Sequence, residues 1–128
     1  MPITMSPQVL TASTDAYITQ GVTARLQTLS GAAATGAVSI SVIDFPVTVL
    51  SGQTNSSTIT FTNVPENFAN TWWVETSNRG SNTVTFNGVT WDGGSAPSLQ
   101  TTGKTVLEFY SRDGGSTIYG RARFLSIA

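Results

Sequence analysis

The sequence predicts an all-β protein, an antiparallel β-sandwich or jelly-roll-like domain, and three observations lead there. Apolar residues recur at alternate positions in short runs such as Val38-Ile40-Val42, Ile59-Phe61 and Leu107-Phe109. That period of two belongs to strands with one buried face. Glycine, proline, asparagine and aspartate interrupt the runs at intervals of roughly a dozen residues, the spacing of about nine or ten short strands joined by turns. No stretch carries a 3.6-residue apolar period long enough for a convincing helix.

Composition bounds the function as well as the fold. The chain has 128 residues, 39% of them hydrophobic. It is expected to form a single domain over residues 9–128 behind a short N-terminal arm, residues 1–8. Only 10% of residues are charged, against about 25% in ordinary soluble proteins. Hydroxyls replace them, with 21 threonines and 15 serines. A polar but nearly uncharged surface suits burial against neighbouring subunits, where a charge would have to be desolvated. An obligate oligomer or assembly component is therefore expected.

The net charge is −1, and Arg25, Arg79, Lys104, Arg112, Arg121 and Arg123 are scattered. Nucleic-acid binding needs a concentrated basic face, so no nucleic-acid partner is expected. Arg121 and Arg123 share a strand face, which reads as a solvated or ion-paired edge. Cysteine and histidine are both absent, which excludes disulfides, Cys/His zinc sites and histidine acid–base chemistry. MPITMSPQVL lacks the basic and apolar regions of a signal peptide, and no apolar run is long enough for a transmembrane helix. No membrane partner is expected.

In order, Met1 to Pro7 has two prolines and little pattern, and reads as a loose arm. Gln8 to Thr19 and Gly21 to Leu29 read as strands; in the second, Val22, Ala24 and Leu26 alternate with Thr23, Arg25 and Gln27. Ser30 to Gly36 is a connector, its flanking glycines arguing against a helical turn at Ala32-Ala33-Ala34. Ala37 to Leu50 is the most apolar stretch, and Pro46 breaks it into two strands around Asp44-Phe45-Pro46. Ser57 to Val64 places Ile59 and Phe61 on one side and threonines on the other. Pro65 to Phe68 has the form of a single helical or 3₁₀ turn. Thr71 to Ser77 is a strand ending at the turn Asn78-Arg79-Gly80. No short repeat marks a solenoid or shaft.

The rest of the chain is organised around Ser81 to Arg121. Val84 and Phe86, then Val89 and Trp91, flank Asn87-Gly88, the strongest short-range hairpin signal because both residues tolerate positive φ. Pro97 lies in an extended crossing segment. Lys104 to Arg112 sets Leu107 and Phe109 on one face and Val106, Glu108 and Tyr110 on the other. Asp113-Gly114-Gly115 then reverses the chain into a strand from Thr117 to Ile127. Two hairpins joined by a crossing segment are predicted.

The order T-V-T-F-N-G-V-T-W, then G-G-S-A-P-S-L, then G-K-T-V-L-E-F-Y-S-R-D-G-G-S-T-I-Y-G resembles a C-terminal β-module of tailed-bacteriophage virion proteins. Those proteins include fibres, tail spikes and small capsid-surface proteins. The resemblance covers roughly residues 82–120, and Asp92 stands where family members often carry proline. It implies a virion structural protein, made in the host cytoplasm, and brings no catalytic motif. A chain this short forms a compact domain with no room for a fibre shaft. A capsid decoration (cement) protein is therefore expected, a homotrimer bridging subunits of the major capsid protein on the outer capsid surface. The alternative is a receptor-binding or fibre-tip domain recognising host-surface carbohydrate.

Candidate contact residues follow from that expectation. Adjacent strand residues face opposite ways, so one of Trp72 and Trp73 belongs to the core and the other points out, available to a subunit or a sugar. Tyr110 and Tyr119 flank the last turn, and Met1, Pro2, Ile3 and Met5 in the arm are candidates for reaching a sister subunit or the shell. Asp92-Gly-Gly and Asp113-Gly-Gly read as turns, since a calcium loop needs six to eight oxygens at alternating spacing. Carboxylates are dispersed, with no glycosidase pair flanked by a groove, and no serine, cysteine or metal mechanism has partners. No enzymatic activity, no metal and no cofactor are expected.

Overall fold

The computed structural model describes residues 24–127. Among them the chain forms β1 (Leu26–Ser30), a 3₁₀ turn (Gly31–Ala34), β2 (Gly36–Ser41), β3 (Val47–Ser51), β4 (Ser57–Thr62) and β5 (Asn70–Ser77). There follow β6 (Val84–Phe86), β7 (Val89–Trp91), a second 3₁₀ turn (Asp92–Gly94), β8 (Lys104–Ser111) and β9 (Ile118–Ile127). The expected arm, residues 1–8, with Met1, Pro2, Ile3 and Met5, and the strand expected over 8–19 lie outside the described residues.

The mostly-β expectation holds; the antiparallel arrangement does not. A six-stranded sheet runs β1-β3-β5-β8-β9-β7 and a three-stranded sheet runs β2-β4-β6. Both are built first from parallel neighbours: β1 with β3, β3 with β5, β2 with β4 and β4 with β6. The chain steps from one sheet to the other and back, laying each coil beside the last. Two-sided alternation is the same in parallel and antiparallel strands, so the sequence pattern does not separate them. Among the described residues only β5·β8 and β8·β9 are antiparallel, and β7 joins β9 parallel.

The coils also correct the expectation of no repeat. Leu26 lies beside Val47 and Gly36 beside Ser57, the same 21-residue offset in both sheets. Leu29-Ser30-Gly31 and Leu50-Ser51-Gly52 thus occupy equivalent corners, and Thr76-Ser77-Asn78 is the third. At each corner the chain leaves its strand through a left-handed residue: Gly31 at φ 56°, Gly52 at 63° and Asn78 at 49°. Glycine and asparagine are the residues that adopt that region at least cost. Ser77 Oγ donates to Ser51 Oγ at 3.2 Å along the same stack. The third coil is lengthened by the turn after β4, which hides the period.

The Asn87-Gly88 hairpin is likewise not formed. Val84 to Phe86 continues the small sheet, with Asn87 N donating to Ile59 O at 2.8 Å, whereas Val89 to Trp91 pairs with β9 in the large one. The turn is there, but it carries the chain between sheets, because Phe86 and Trp91 both pack into the core. The second predicted hairpin, β8–β9, forms as expected. Ala32 to Ala34 makes a 3₁₀ turn despite its glycines, with Ala34 fully buried. The helical turn expected at Pro65 to Phe68 is instead a plain turn at Glu66 and Asn67. Asn67 takes a left-handed φ of 64° there, which no right-handed helix continues.

Between the sheets lies one core centred on Phe109. Its ring centroid is 4.7 Å from Phe61, 5.2 Å from Phe86, 5.8 Å from Trp91 and 6.0 Å from Trp72. Ile40, Leu50, Ile59, Val74 and Leu107 complete it, all fully buried, and this burial is the main favourable term in folding. The inward positions of Val38, Ile40, Ile59, Phe61, Leu107 and Phe109 are those the alternation predicts. Leu26 is a correction: it is 58% exposed, and Leu29 packs on the core instead. Register with β3 places Leu26 beside Val47 on the outer face.

Two polar devices fix the later loops. The Arg79 guanidinium donates to Leu99 O at 2.7 Å and to Asn82 O at 3.0 Å, pinning the crossing segment after β7. In the β8–β9 turn, Asp113 Oδ1 accepts from Thr117 N at 2.8 Å and from Ser111 Oγ at 3.1 Å. The bonds from Thr117, then Ser111, hold its carboxyl below the usual carboxylate range. A lowered folded-state pKa means stability that is present above the unfolded carboxylate's pKa and lost as pH falls through the folded one. Asp113→Asn is therefore expected to cost stability near neutral pH, and the gap to wild type to narrow in strong acid. Urea unfolding at both pH values checks it; a gap independent of pH would contradict it.

Candidate functional site

The outer face of the six-stranded sheet carries the candidate residues, and register sets their order. One cross-strand row runs Leu26, Val47, Trp73, Glu108, Arg121. The row beside it holds Thr71, Tyr110, Tyr119 and Thr90, and on the other side lie Thr28, Val49, Glu75, Val106 and Phe124. These positions alternate with the buried ones, so their side chains point away from the core. Over β1, β3 and β5 the face carries an apolar group, Leu26, Val47, Val49 and Trp73, set among Thr28, Thr71 and Glu75, with Val47, Val49 and Trp73 only partly covered.

The tryptophan pair divides as predicted. Trp72 is fully buried, its ring 5.2 Å from Phe61 and edge-on to it. Trp73 points outward and lines a hollow with Arg25, Ile43, Asp44, Pro46 and Val47. Trp72 thus belongs to the core, which leaves Trp73 as the member of the pair available to a partner.

Tyr110 and Tyr119 meet across β8 and β9. They are directly paired in register, their ring centroids are 6.5 Å apart and their planes lie within 18°. Both are exposed. Beside them, Arg121 Nε donates to Glu108 Oε1 at 3.0 Å, an exposed ion pair contributing about 0–1 kcal/mol to stability. With Trp91 and Asp92 from the end of β7, these side chains line an open cleft of about 470 Å³.

The sequence points to the tyrosines and to the edge character of Arg121, but not to the cleft. Part of the signal is local: a turn centred on residues 113–116 pairs Tyr110 with Tyr119, and the same register brings Glu108 to Arg121. The other wall is not local. It depends on β7 arriving at the far side of β9, whereas the Asn87-Gly88 signal ties Val89 to Trp91 to a hairpin.

Two carboxylates, Asp92 and Glu108, line the same cleft, which corrects the expectation that no acidic pair flanks a groove. Asp44 accepts from Ser41 Oγ at 2.6 Å, and Asp113 is engaged in its turn. Among the described residues no three histidine, cysteine or acidic side chains gather into a metal-binding group, and no helix is long and apolar enough to cross a membrane. Compared with known proteins, the chain matches no family model, no curated protein and no solved structure.

Proposed function

We propose that this chain is a structural subunit of a tailed-phage virion, a capsid decoration (cement) protein that assembles as a homotrimer and bridges subunits of the major capsid protein. The observation that carries the assembly reading is the apolar group on the outer face, Leu26, Val47, Val49 and Trp73. An apolar patch of this kind on a protein with so little surface charge fits contact with other subunits. The phage assignment rests on the resemblance of residues 82–120 to the virion β-module. A subunit that binds only the assembled shell stabilises it by mass action, without chemistry of its own.

Leu26→Lys tests the contact. Leu26 is already 58% exposed, so the folded monomer is expected to change in stability by no more than about 0.5 kcal/mol. Burying the new ammonium in an interface is costly, so the mass by light scattering is expected to fall from trimer to monomer. A wild-type protein that is monomeric at every concentration would count against the proposal.

A further inference from the structure

We propose that the cleft beside the β8–β9 hairpin binds a neutral sugar, a hexopyranose unit of a glycan, against the paired rings of Tyr110 and Tyr119. A pyranose has an apolar C–H face and a rim of hydroxyls. The two tyrosine rings, 6.5 Å apart and within 18° of parallel, offer apolar area at 37% and 48% exposure. Tyrosine supplies such area with little rotamer entropy to lose. Glu108 and Arg121, held together at 3.0 Å, place an acceptor and donors one row away, where hydroxyls of a stacked sugar would reach.

Charge selects among sugars. Glu108 and Arg121 offset each other and Asp92 adds a negative charge, so the cleft disfavours an acidic sugar. Its volume of about 470 Å³ lies within the ordinary range of small-ligand sites, about 300–1,000 Å³. An extended peptide is a poorer occupant, because β9 at Tyr119 already has β8 on one side and β7 on the other. The tyrosine-bearing strands β8 and β9 have no free edge for a further strand; the free edge on this side belongs to β7, at the rim of the sheet. The cleft adjoins the Leu26–Trp73 end of the sheet, Glu108 pairing with Trp73 in register, but none of its aromatic residues belongs to that patch, and the proposal holds whatever place the chain has in a virion.

The test is titration of the purified protein with neutral mono- and disaccharides of the gluco, galacto, manno and N-acetylhexosamine series, with a sialylated sugar as acidic control. Tyrosine ring resonances report binding. At least one neutral sugar is expected to shift them, with millimolar affinity. Tyr119→Ala is expected to weaken binding by about tenfold or more, with circular dichroism and mass unchanged, while Tyr119→Phe retains it. The proposal is overturned if no neutral sugar in the panel shifts the rings or if only the acidic sugar binds. It is also overturned if Tyr119→Ala lowers the oligomeric mass, which would make the pair a subunit contact.

Discussion

Phe109→Ala is expected to lower the unfolding free energy by about 3–5 kcal/mol, the usual cost of truncating a buried aromatic residue. Phe109 is fully buried and its ring lies within 6.0 Å, centroid to centroid, of Trp72, Phe61, Phe86 and Trp91. Those neighbours come from both sheets, so the loss is felt across the whole core. Collapse into the space is hindered because the neighbouring rings are large and rigid. Urea unfolding followed by tryptophan fluorescence measures it. A cost below about 1 kcal/mol would mean that Phe109 is not the centre of the core, since even a single buried methylene contributes about 0.8 kcal/mol.

Gly120→Val is expected to destabilise by about 1–3 kcal/mol through overpacking. Gly120 sits on β9 between β8 and β7, and a Cβ there would lie 2.8 Å from Val89 Cγ1, 2.9 Å from Trp91 Cζ3 and 3.0 Å from Phe109 Cε1. All three pack on the core, Phe109 fully buried and Val89 and Trp91 partly so. The first to yield is Trp91, at the edge of the sheet, so its fluorescence is expected to shift along with the loss of stability. Gly120→Ala gives the smaller step. If both variants unfold with wild-type midpoints, β7 does not pack against β9 as described.

Single residues show how much of the fold is legible in the sequence. Alternation alone places Phe61, Leu107 and Phe109 inward, because one buried face imposes a period of two whatever the pairing. Pairing direction leaves no such mark, and so the parallel coils do not show in the pattern. The corners Leu29-Ser30-Gly31 and Leu50-Ser51-Gly52 do record the winding, but two short matches do not stand out from ordinary turns. Asn87-Gly88 misleads for a related reason: the dipeptide specifies a tight turn, and only the burial of Phe86 and Trp91 decides which sheets the flanking strands join. At the candidate site, both tyrosines are legible and the cleft is not, since its wall comes from β7.

The decoration role is tested most directly by the melting temperature of phage capsids lacking this protein, measured with and without the purified protein added. A rise in melting temperature that saturates with added protein, and that Leu26→Lys abolishes, is the predicted result. Capsids that melt at the same temperature in the presence of folded protein would contradict the decoration role.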